Sequence, residues 1–164
     1  MYGRGKRATA WSLVAAQMVL LVALAGMPGR RVWTAPGWLA VLAVAAIAVA
    51  AAWAVAGAAR LGAGFTASPL PSAAARLRTT GAYACVRHPI YSALLLGGAG
   101  VVVLGGRLTR VAVWLALLAL LWCKARLEER ELAARFPGYE AYAAATPRLL
   151  PSPYRCRRRV WHVS

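Results

Sequence analysis

The sequence predicts an all-α membrane protein, a polytopic helix bundle with about four transmembrane helices in a single domain that covers residues 1–164. Hydrophobic residues make up 61% of the chain and the mean hydropathy is +0.57, values typical of integral membrane proteins. The apolar residues form four runs separated by helix-breaking or polar stretches. The net charge is +16, and the basic residues are distributed unevenly between these stretches.

The first two apolar runs are each long enough to cross a bilayer. Residues 8–27 and 37–59 approach or exceed the ~20 residues needed to span ~30 Å of hydrocarbon. Between them lie Pro28, Gly29 and Pro36, which break helices. Small alanine side chains dominate the second run and allow close helix approach in lipid.

The second half of the chain predicts a helical hairpin that leaves the membrane. Residues 60–87 are rich in Gly, Pro, Ser, Thr and Arg, a composition too polar for hydrocarbon. Two further spans follow at 90–106 and 108–123. Charged residues begin at once after 123, with no helix breaker before Pro137, so we expect the fourth helix to continue into water.

The basic residues indicate an orientation in the cell membrane. With the N-terminus inside, sixteen of the twenty Lys and Arg residues lie on the cytoplasmic side, as the positive-inside rule requires. We therefore expect a multi-pass protein with both termini in the cytoplasm. The membrane explains the positive charge better than a nucleic acid does, and the terminal arginines are expected to contact anionic lipids: Arg155, Arg157, Arg158 and Arg159.

The N-terminal run has a second interpretation. A basic start, an apolar stretch and the small-residue sequence Ala23-Leu24-Ala25 also fit a cleaved secretory signal. Its removal would leave three spans, so we favour retention of the first helix.

The three cysteines, Cys85, Cys123 and Cys156, lack metal-ligand spacing and are expected to be reduced thiols, with no metal site.

Two polar segments, 75–91 and 124–151, carry the residues suited to chemistry. The first contains Arg87-His88-Pro89-Ile90-Tyr91 immediately before the third span, and the second contains Glu128-Glu129 just after the fourth. This pair of motifs resembles the superfamily of isoprenylcysteine carboxyl methyltransferases and phospholipid methyltransferases. These are membrane enzymes that use S-adenosyl-L-methionine, and the resemblance covers roughly residues 75–151.

The resemblance implies a cofactor site made from both segments. It places S-adenosyl-L-methionine contacts on Tyr83, on the residues of the first motif and on Glu128, so the candidate cofactor-binding set is Tyr83, Arg87, His88, Pro89, Ile90, Tyr91, Glu128 and Glu129. The residue types suit such a ligand. Carboxylates can accept from its ammonium or ribose groups, cationic side chains can bind its carboxylate, and tyrosine rings can cover its adenine.

Lys124 and His88 are the candidates for a catalytic role, with Glu129 as an alternative general base. Lys124 stands where the carboxyl methyltransferases have a substrate-binding arginine, one helical turn before Glu128, and it loses the bidentate fork of arginine. A carboxylate nucleophile needs no general base, whereas an amine must lose a proton, and His88 or Glu129 is then the candidate base. We expect a lipophilic substrate that enters from the bilayer. The sequence identifies neither this acceptor nor the oligomeric state.

Two other functions remain open. Membrane sterol-type reductases resemble the same superfamily around the Arg-His-Pro-x-Tyr motif but bind a nicotinamide cofactor, whose 2′-phosphate would favour arginines where this chain has Glu128-Glu129. A non-catalytic membrane scaffold of the same fold is the third possibility.

Ala93 and the shortened 136–139 segment depart from the usual pattern of the methyltransferase superfamily. Tyr139 and Tyr142 are expected to be anchors at the membrane interface.

Overall fold

The computed structural model describes residues 3–152, and these residues form an all-helical membrane bundle, which confirms the expected fold class. No β-strand occurs within that range. The helices are α1 (Arg4–Gly26), α2 (Gly37–Leu61), α3 (Ala82–Cys85), α4 (Pro89–Gly105), α5 (Leu108–Arg135) and α6 (Tyr139–Ala145), with a short 3₁₀ turn at Gly62–Gly64.

Three of these helices are long and apolar enough to span a membrane. They are α1, α2 and α5, while α4 is equally apolar but only 17 residues long. A helix rises 1.5 Å per residue, so α4 lies at the lower limit for a bilayer crossing. The apolar runs expected from the sequence are therefore all helical.

The helix ends follow local sequence signals. Pro89 occupies the first turn of α4, where its missing N–H costs no hydrogen bond. Gly106 ends α4 in the left-handed conformation, with φ of 64°, so that α5 can begin two residues later. Helix α5 then continues for 28 residues, as expected, and ends before Pro137. We refer to its residues 124–135 as the polar extension.

The closest helix pair is α2 with α4. A Cβ atom added at Gly100 would lie 2.8 Å from the backbone oxygen of Ala43 and 2.7 Å from the Ile47 side chain, so only glycine fits here. Small residues permit such close approach of two helix backbones. In membranes this matters because helices associate through van der Waals packing, since the hydrophobic effect does not drive them together in lipid. On the other side of α4, Leu117 and Leu121 of α5 are fully buried in the bundle core.

The two ends of the bundle are held by different contacts. At one end, the side chain of Lys6 pairs with Glu131 of the polar extension at 2.9 Å. At the other end, Arg107 Nε donates to the Gly29 carbonyl at 3.0 Å, and Arg110 donates to the Ala25 carbonyl at 2.8 Å. The start of α1 and the polar extension therefore lie at the same end.

One of the two described cysteines differs from the expected reduced thiol. Cys85 is disulfide-bonded, so the expectation of a reduced thiol is wrong for this residue. Cys123 is a free, exposed thiol. The expectation for Cys156 falls outside the described residues.

Candidate functional site

A cleft opens at the end of the bundle that carries the polar extension. It encloses about 840 Å³, a volume that includes the space of its open mouth. Its walls come from the middle segment (residues 62–81), the start of α4, the polar extension and α6. Seven of the eight predicted cofactor-binding residues line it: Tyr83, Arg87, His88, Pro89, Ile90, Tyr91 and Glu128.

Glu128 joins the two motif segments inside the cleft. The Tyr91 hydroxyl donates to Glu128 Oε2 at 3.0 Å, and His88 Nδ1 lies 3.6 Å from the same oxygen. The His88 and Tyr91 rings stack in parallel, with centroids 5.2 Å apart. Because Tyr91 and His88 lie within one turn of the start of α4, the backbone of that turn determines where the carboxylate of Glu128 is held.

Glu129 is directed away from the cleft and is surrounded by three basic side chains. Its Oε1 lies 3.1 Å from His88 Nε2, Arg148 forms a bidentate contact with bonds of 2.7–3.0 Å, and Arg87 Nη1 lies 3.4 Å away. Burial alone would raise the pKa of Glu129, but the hydrogen bonds from His88 and Arg148 and the charge of Arg87 lower it to about 2. This carboxylate is the centre of a buried ion-pair cluster.

The C-terminal segment (residues 146–152) lies against the first motif. Arg87 N donates to the Pro147 carbonyl at 2.9 Å, and His88 N donates to the Arg148 carbonyl at 3.2 Å. The Ser92 hydroxyl then donates to the Leu149 carbonyl at 2.5 Å. These bonds satisfy backbone groups that the irregular chain before α4 would otherwise bury unpaired. They also bring Arg148 to Glu129.

Tyr139 and Tyr142 are not interfacial anchors, which corrects the sequence expectation. Both are buried, line the cleft and form an edge-to-face pair with centroids 6.0 Å apart. The Tyr142 hydroxyl donates to the Tyr83 carbonyl at 2.7 Å. Burial, followed by the charge of nearby Glu128, raises the pKa of Tyr83, which keeps its hydroxyl protonated. Three tyrosines thus provide one aromatic wall.

Two buried polar atoms in the cleft make no hydrogen bond to the part of the chain that the structure describes. They are Arg87 Nε and the Tyr139 hydroxyl. Buried polar groups are nearly always hydrogen-bonded in native proteins, and an unpaired one commonly marks a ligand or water position. Arg87 and Tyr139 also interact with each other, which partly offsets the rise in the pKa of Tyr139 that burial causes. Both are candidate donors to a ligand in addition to the carboxylate of Glu128.

Lys124 lies outside the cleft lining. It is fully buried, and its Nζ donates to Gln17 Oε1 at 2.5 Å and to the Ala67 carbonyl at 3.1 Å. Its Nζ lies over the Tyr91 ring, 5.3 Å from the ring centroid. The same tyrosine donates its hydroxyl hydrogen bond to Glu128, so both Lys124 and Glu128 contact Tyr91.

A second cavity, the apolar groove, lies beside α4 on the membrane-facing part of the bundle. It encloses about 960 Å³ including its open side, and its walls are α2, α4, α5 and the C-terminal segment. The principal side chains are Val49, Trp53, Leu96 and Trp114. The Trp53 indole N–H is buried and makes no hydrogen bond to any described residue. The groove can hold an apolar chain that carries a hydrogen-bond acceptor.

Sequence reasoning missed three features of this site. Arg148 was not assigned a role, Tyr139 and Tyr142 were assigned to the membrane interface, and Gln17 was not singled out. For Gln17 a signal existed, since it is the only polar side chain of α1 after Ser12. For Arg148 there was none, because its 19-residue separation from Glu129 is bridged only by the folded C-terminal segment.

Comparison with known proteins gives a partial relative. Over 76 residues, 46% of the chain, the sequence is 38% identical to the cobalt-zinc-cadmium resistance protein CzcN of Cupriavidus metallidurans. The match covers 35% of that protein, so the chain spans about a third of the relative's length. No protein-family model matches the sequence. No solved structure gives a significant match.

Proposed function

We propose that the chain is an integral membrane methyltransferase that transfers a methyl group from S-adenosyl-L-methionine to a lipophilic acceptor. The observation that carries the proposal is the meeting of Tyr91 and Glu128, from motif segments 37 residues apart, within one cleft at the end of a membrane bundle. When bound, the cofactor supplies an electrophilic methyl on its sulfonium.

The cleft has the chemical groups that this cofactor needs. Glu128 accepts hydrogen bonds from ammonium or hydroxyl groups and stabilises positive charge. The Tyr139 hydroxyl and Arg87 Nε, both buried, are candidate donors to ligand oxygens or nitrogens. The tyrosine wall offers apolar faces for a flat base and excludes water from the reacting groups.

The acceptor chain is assigned to the apolar groove. The groove begins at Ser92 and Ala93, directly after Ile90 and Tyr91, which line the cleft. A lipophilic acceptor held there reaches the start of α4 from the bilayer, while the cofactor enters the cleft from water. The unpaired Trp53 N–H favours an acceptor with a carbonyl, ether or hydroxyl oxygen on its chain, since an unpaired donor in hydrocarbon costs several kcal/mol.

We propose a multi-pass topology in the cell membrane with both termini cytoplasmic. The positive-inside rule supports this orientation, and the Lys6–Glu131 pair supports the common location of the α1 start and the polar extension. Under this topology the cleft faces the cytoplasm, where S-adenosyl-L-methionine is made. The Cys85 disulfide beside the cleft is the one observation that opposes this orientation, because disulfides are rare in the cytosol. Anionic lipids of the inner leaflet are then the expected neighbours of the basic end.

A nicotinamide-dependent reductase remains the second candidate, because one observation favours it. Arg76 and Arg78 line the same cleft as Glu128 and are exposed, and neither makes a salt bridge to another described residue. A pair of guanidinium groups is suited to a 2′-phosphate.

The name of the partial relative suggests metal resistance. Residues 3–152 contain no group of three or more His, Cys, Asp or Glu side chains that could hold a metal ion.

Calorimetry on the detergent-purified protein separates these functions. We expect saturable binding of S-adenosyl-L-methionine, weakened at least ~tenfold by Glu128→Gln, equivalent to about 1.4 kcal/mol. The matched control is Glu140→Gln, an exposed acid outside the cleft, which should leave binding unchanged. Binding of NADPH but not NADH would favour the reductase, and binding of Zn²⁺, Co²⁺ or Cd²⁺ alone would favour a metal role. No binding of any of these to folded protein would favour a scaffold.

A further inference from the structure

Lys124 connects three parts of the molecule at one buried point. Its side chain is only 1% exposed, and its Nζ binds Gln17 of α1 and the Ala67 carbonyl of the middle segment. Both partners present oxygen acceptors, so two of the three ammonium donors are satisfied. In a low-dielectric environment such bonds are stronger than in water, and breaking one leaves a costly unpaired group.

The Ala67 carbonyl belongs to the cleft wall. Its two neighbours, Thr66 and Ser68, both line the cleft. Apart from the 3₁₀ turn at its start, the middle segment has no helix or strand. Local bonds shape it, such as that from Ser68 N to Thr66 Oγ1 at 3.1 Å, and bonds to other elements attach it to the bundle. We call residues 66–68 the anchored wall.

A second cation fixes the same segment further along. Arg135, also from α5, donates to the Ser72 carbonyl at 2.6 Å and to the Ala73 carbonyl at 2.9 Å. Arg135 is exposed, so water competes for these bonds, whereas the Lys124 side chain is buried although the Ala67 residue that it binds is exposed. The middle segment is thus held by two cations of α5, one at Ala67 and one at Ser72 and Ala73.

We infer that Gln17 and Lys124 are positioning residues that hold the anchored wall in place, so that ligand affinity in the cleft depends on a side chain of α1. Neither residue lines the cleft. Gln17 orients Lys124, Lys124 holds Ala67, and Ala67 sets the position of Thr66 and Ser68. The role in cofactor binding rests on the proposed function, whereas the mechanical role does not.

Limited proteolysis tests the mechanical role without a ligand. Trypsin cleaves after arginine, and the exposed Arg76 and Arg78 report on release of the middle segment. In the full-length protein in detergent, Gln17→Leu should increase the cleavage rate after these residues at least fivefold. Gln17→Glu, which keeps an oxygen acceptor, should restore a rate near that of the wild type. Met18→Leu, a neighbouring exposed position, is the matched control and should not change the rate.

Ligand affinity tests the functional part. Gln17→Leu should weaken S-adenosyl-L-methionine binding about fivefold relative to Met18→Leu, and Gln17→Glu should recover the affinity. If Gln17→Leu does not fold, Gln17→Met is measured in its place. If the wild type binds no S-adenosyl-L-methionine, the proposed function fails while the proteolysis result still stands.

Two results would overturn the inference. The first is a wild-type cleavage rate in Gln17→Leu, which would mean that the wall does not depend on this contact. The second is a Lys124→Met variant with wild-type cleavage and cofactor affinity but no methyl transfer, which would make Lys124 a substrate contact instead.

Discussion

Glu128 and Glu129 are neighbours in the chain but lie in different environments. Glu128 lines the cleft and accepts from Tyr91, whereas Glu129 is enclosed by His88, Arg87 and Arg148. Adjacent residues on a helix point about 100° apart, so at most one of the two can face the cleft directly. We therefore expect their substitutions to produce different defects, one in binding and the other in stability.

Substitution of Glu129 should destabilise the fold. Glu129→Gln removes the charge that pairs with the half-buried Arg87 and Arg148 and should cost about 3 kcal/mol, as loss of one partner of a buried ion pair does. Glu131→Gln, which removes the surface pair with exposed Lys6, should cost less than ~1 kcal/mol. Thermal unfolding in detergent compares the two. Equal midpoints would contradict the assignment of Glu129 to a stabilising cluster.

The same cluster predicts an acid-sensitive stability. The folded pKa of Glu129, about 2, lies below its ordinary value of 4.5, so its contribution is complete above pH 4.5 and is lost as the pH falls towards 2. In that pH range the unfolding midpoint of the wild type should fall more steeply than that of Glu129→Gln. Parallel pH profiles would show that Glu129 is not the group responsible.

Tyr91 should act on the ligand through Glu128. Tyr91→Phe removes the 3.0 Å hydrogen bond to the carboxylate and should weaken S-adenosyl-L-methionine binding roughly three- to tenfold, about 0.7–1.4 kcal/mol. A double-mutant cycle provides the control. In the Glu128→Gln background, Tyr91→Phe should have little further effect. Additive losses would mean that Tyr91 contacts the ligand independently.

At the scale of elements, the helices could be predicted from the sequence but their polar contacts only in part. Apolar run length and the Pro28, Pro36 and Pro137 breaks were sufficient to locate α1, α2, α4 and α5. The Tyr91–Glu128 contact agrees with the expected meeting of the two motifs. The burial of Tyr139 and Tyr142 could not be predicted, because a tyrosine suits a membrane interface and a buried wall equally well. The packing of α6 against the first motif buries these two tyrosines, and this packing is not evident from the sequence.

The groove beside α4 should control use of the acceptor without affecting the cofactor. Leu96→Trp places a bulky ring among the groove residues and should reduce methyl transfer into a lipid extract at least ~tenfold. Leu115→Trp, at an exposed position of α5 outside the groove, is the matched control and should keep full activity. Equal activity of the two variants would remove the groove from the proposed acceptor path. Calorimetry should give wild-type S-adenosyl-L-methionine affinity for both.

At the scale of the whole molecule, the contacts at the two ends define a testable topology. Thr34 lies in the turn between α1 and α2, and Ala74 lies in the middle segment at the opposite end. In intact cells and in a background without native cysteines (Cys85→Ala, Cys123→Ala and Cys156→Ala), a membrane-impermeant maleimide should label Thr34→Cys but label Ala74→Cys only after lysis. The reverse pattern would invert the proposed orientation and place the cleft outside the cell.

The central claim is methyl transfer, and it is tested most directly with methyl-labelled S-adenosyl-L-methionine. The purified protein in nanodiscs is incubated with the labelled cofactor and a total lipid extract of the expression host, and label is counted in the organic phase. The proposed function predicts time-dependent labelling of lipid by the wild type and by Glu140→Gln, and background labelling by Glu128→Gln. Equal labelling by wild type and Glu128→Gln, or none by a wild type that binds the cofactor and is supplied with lipid, would contradict it.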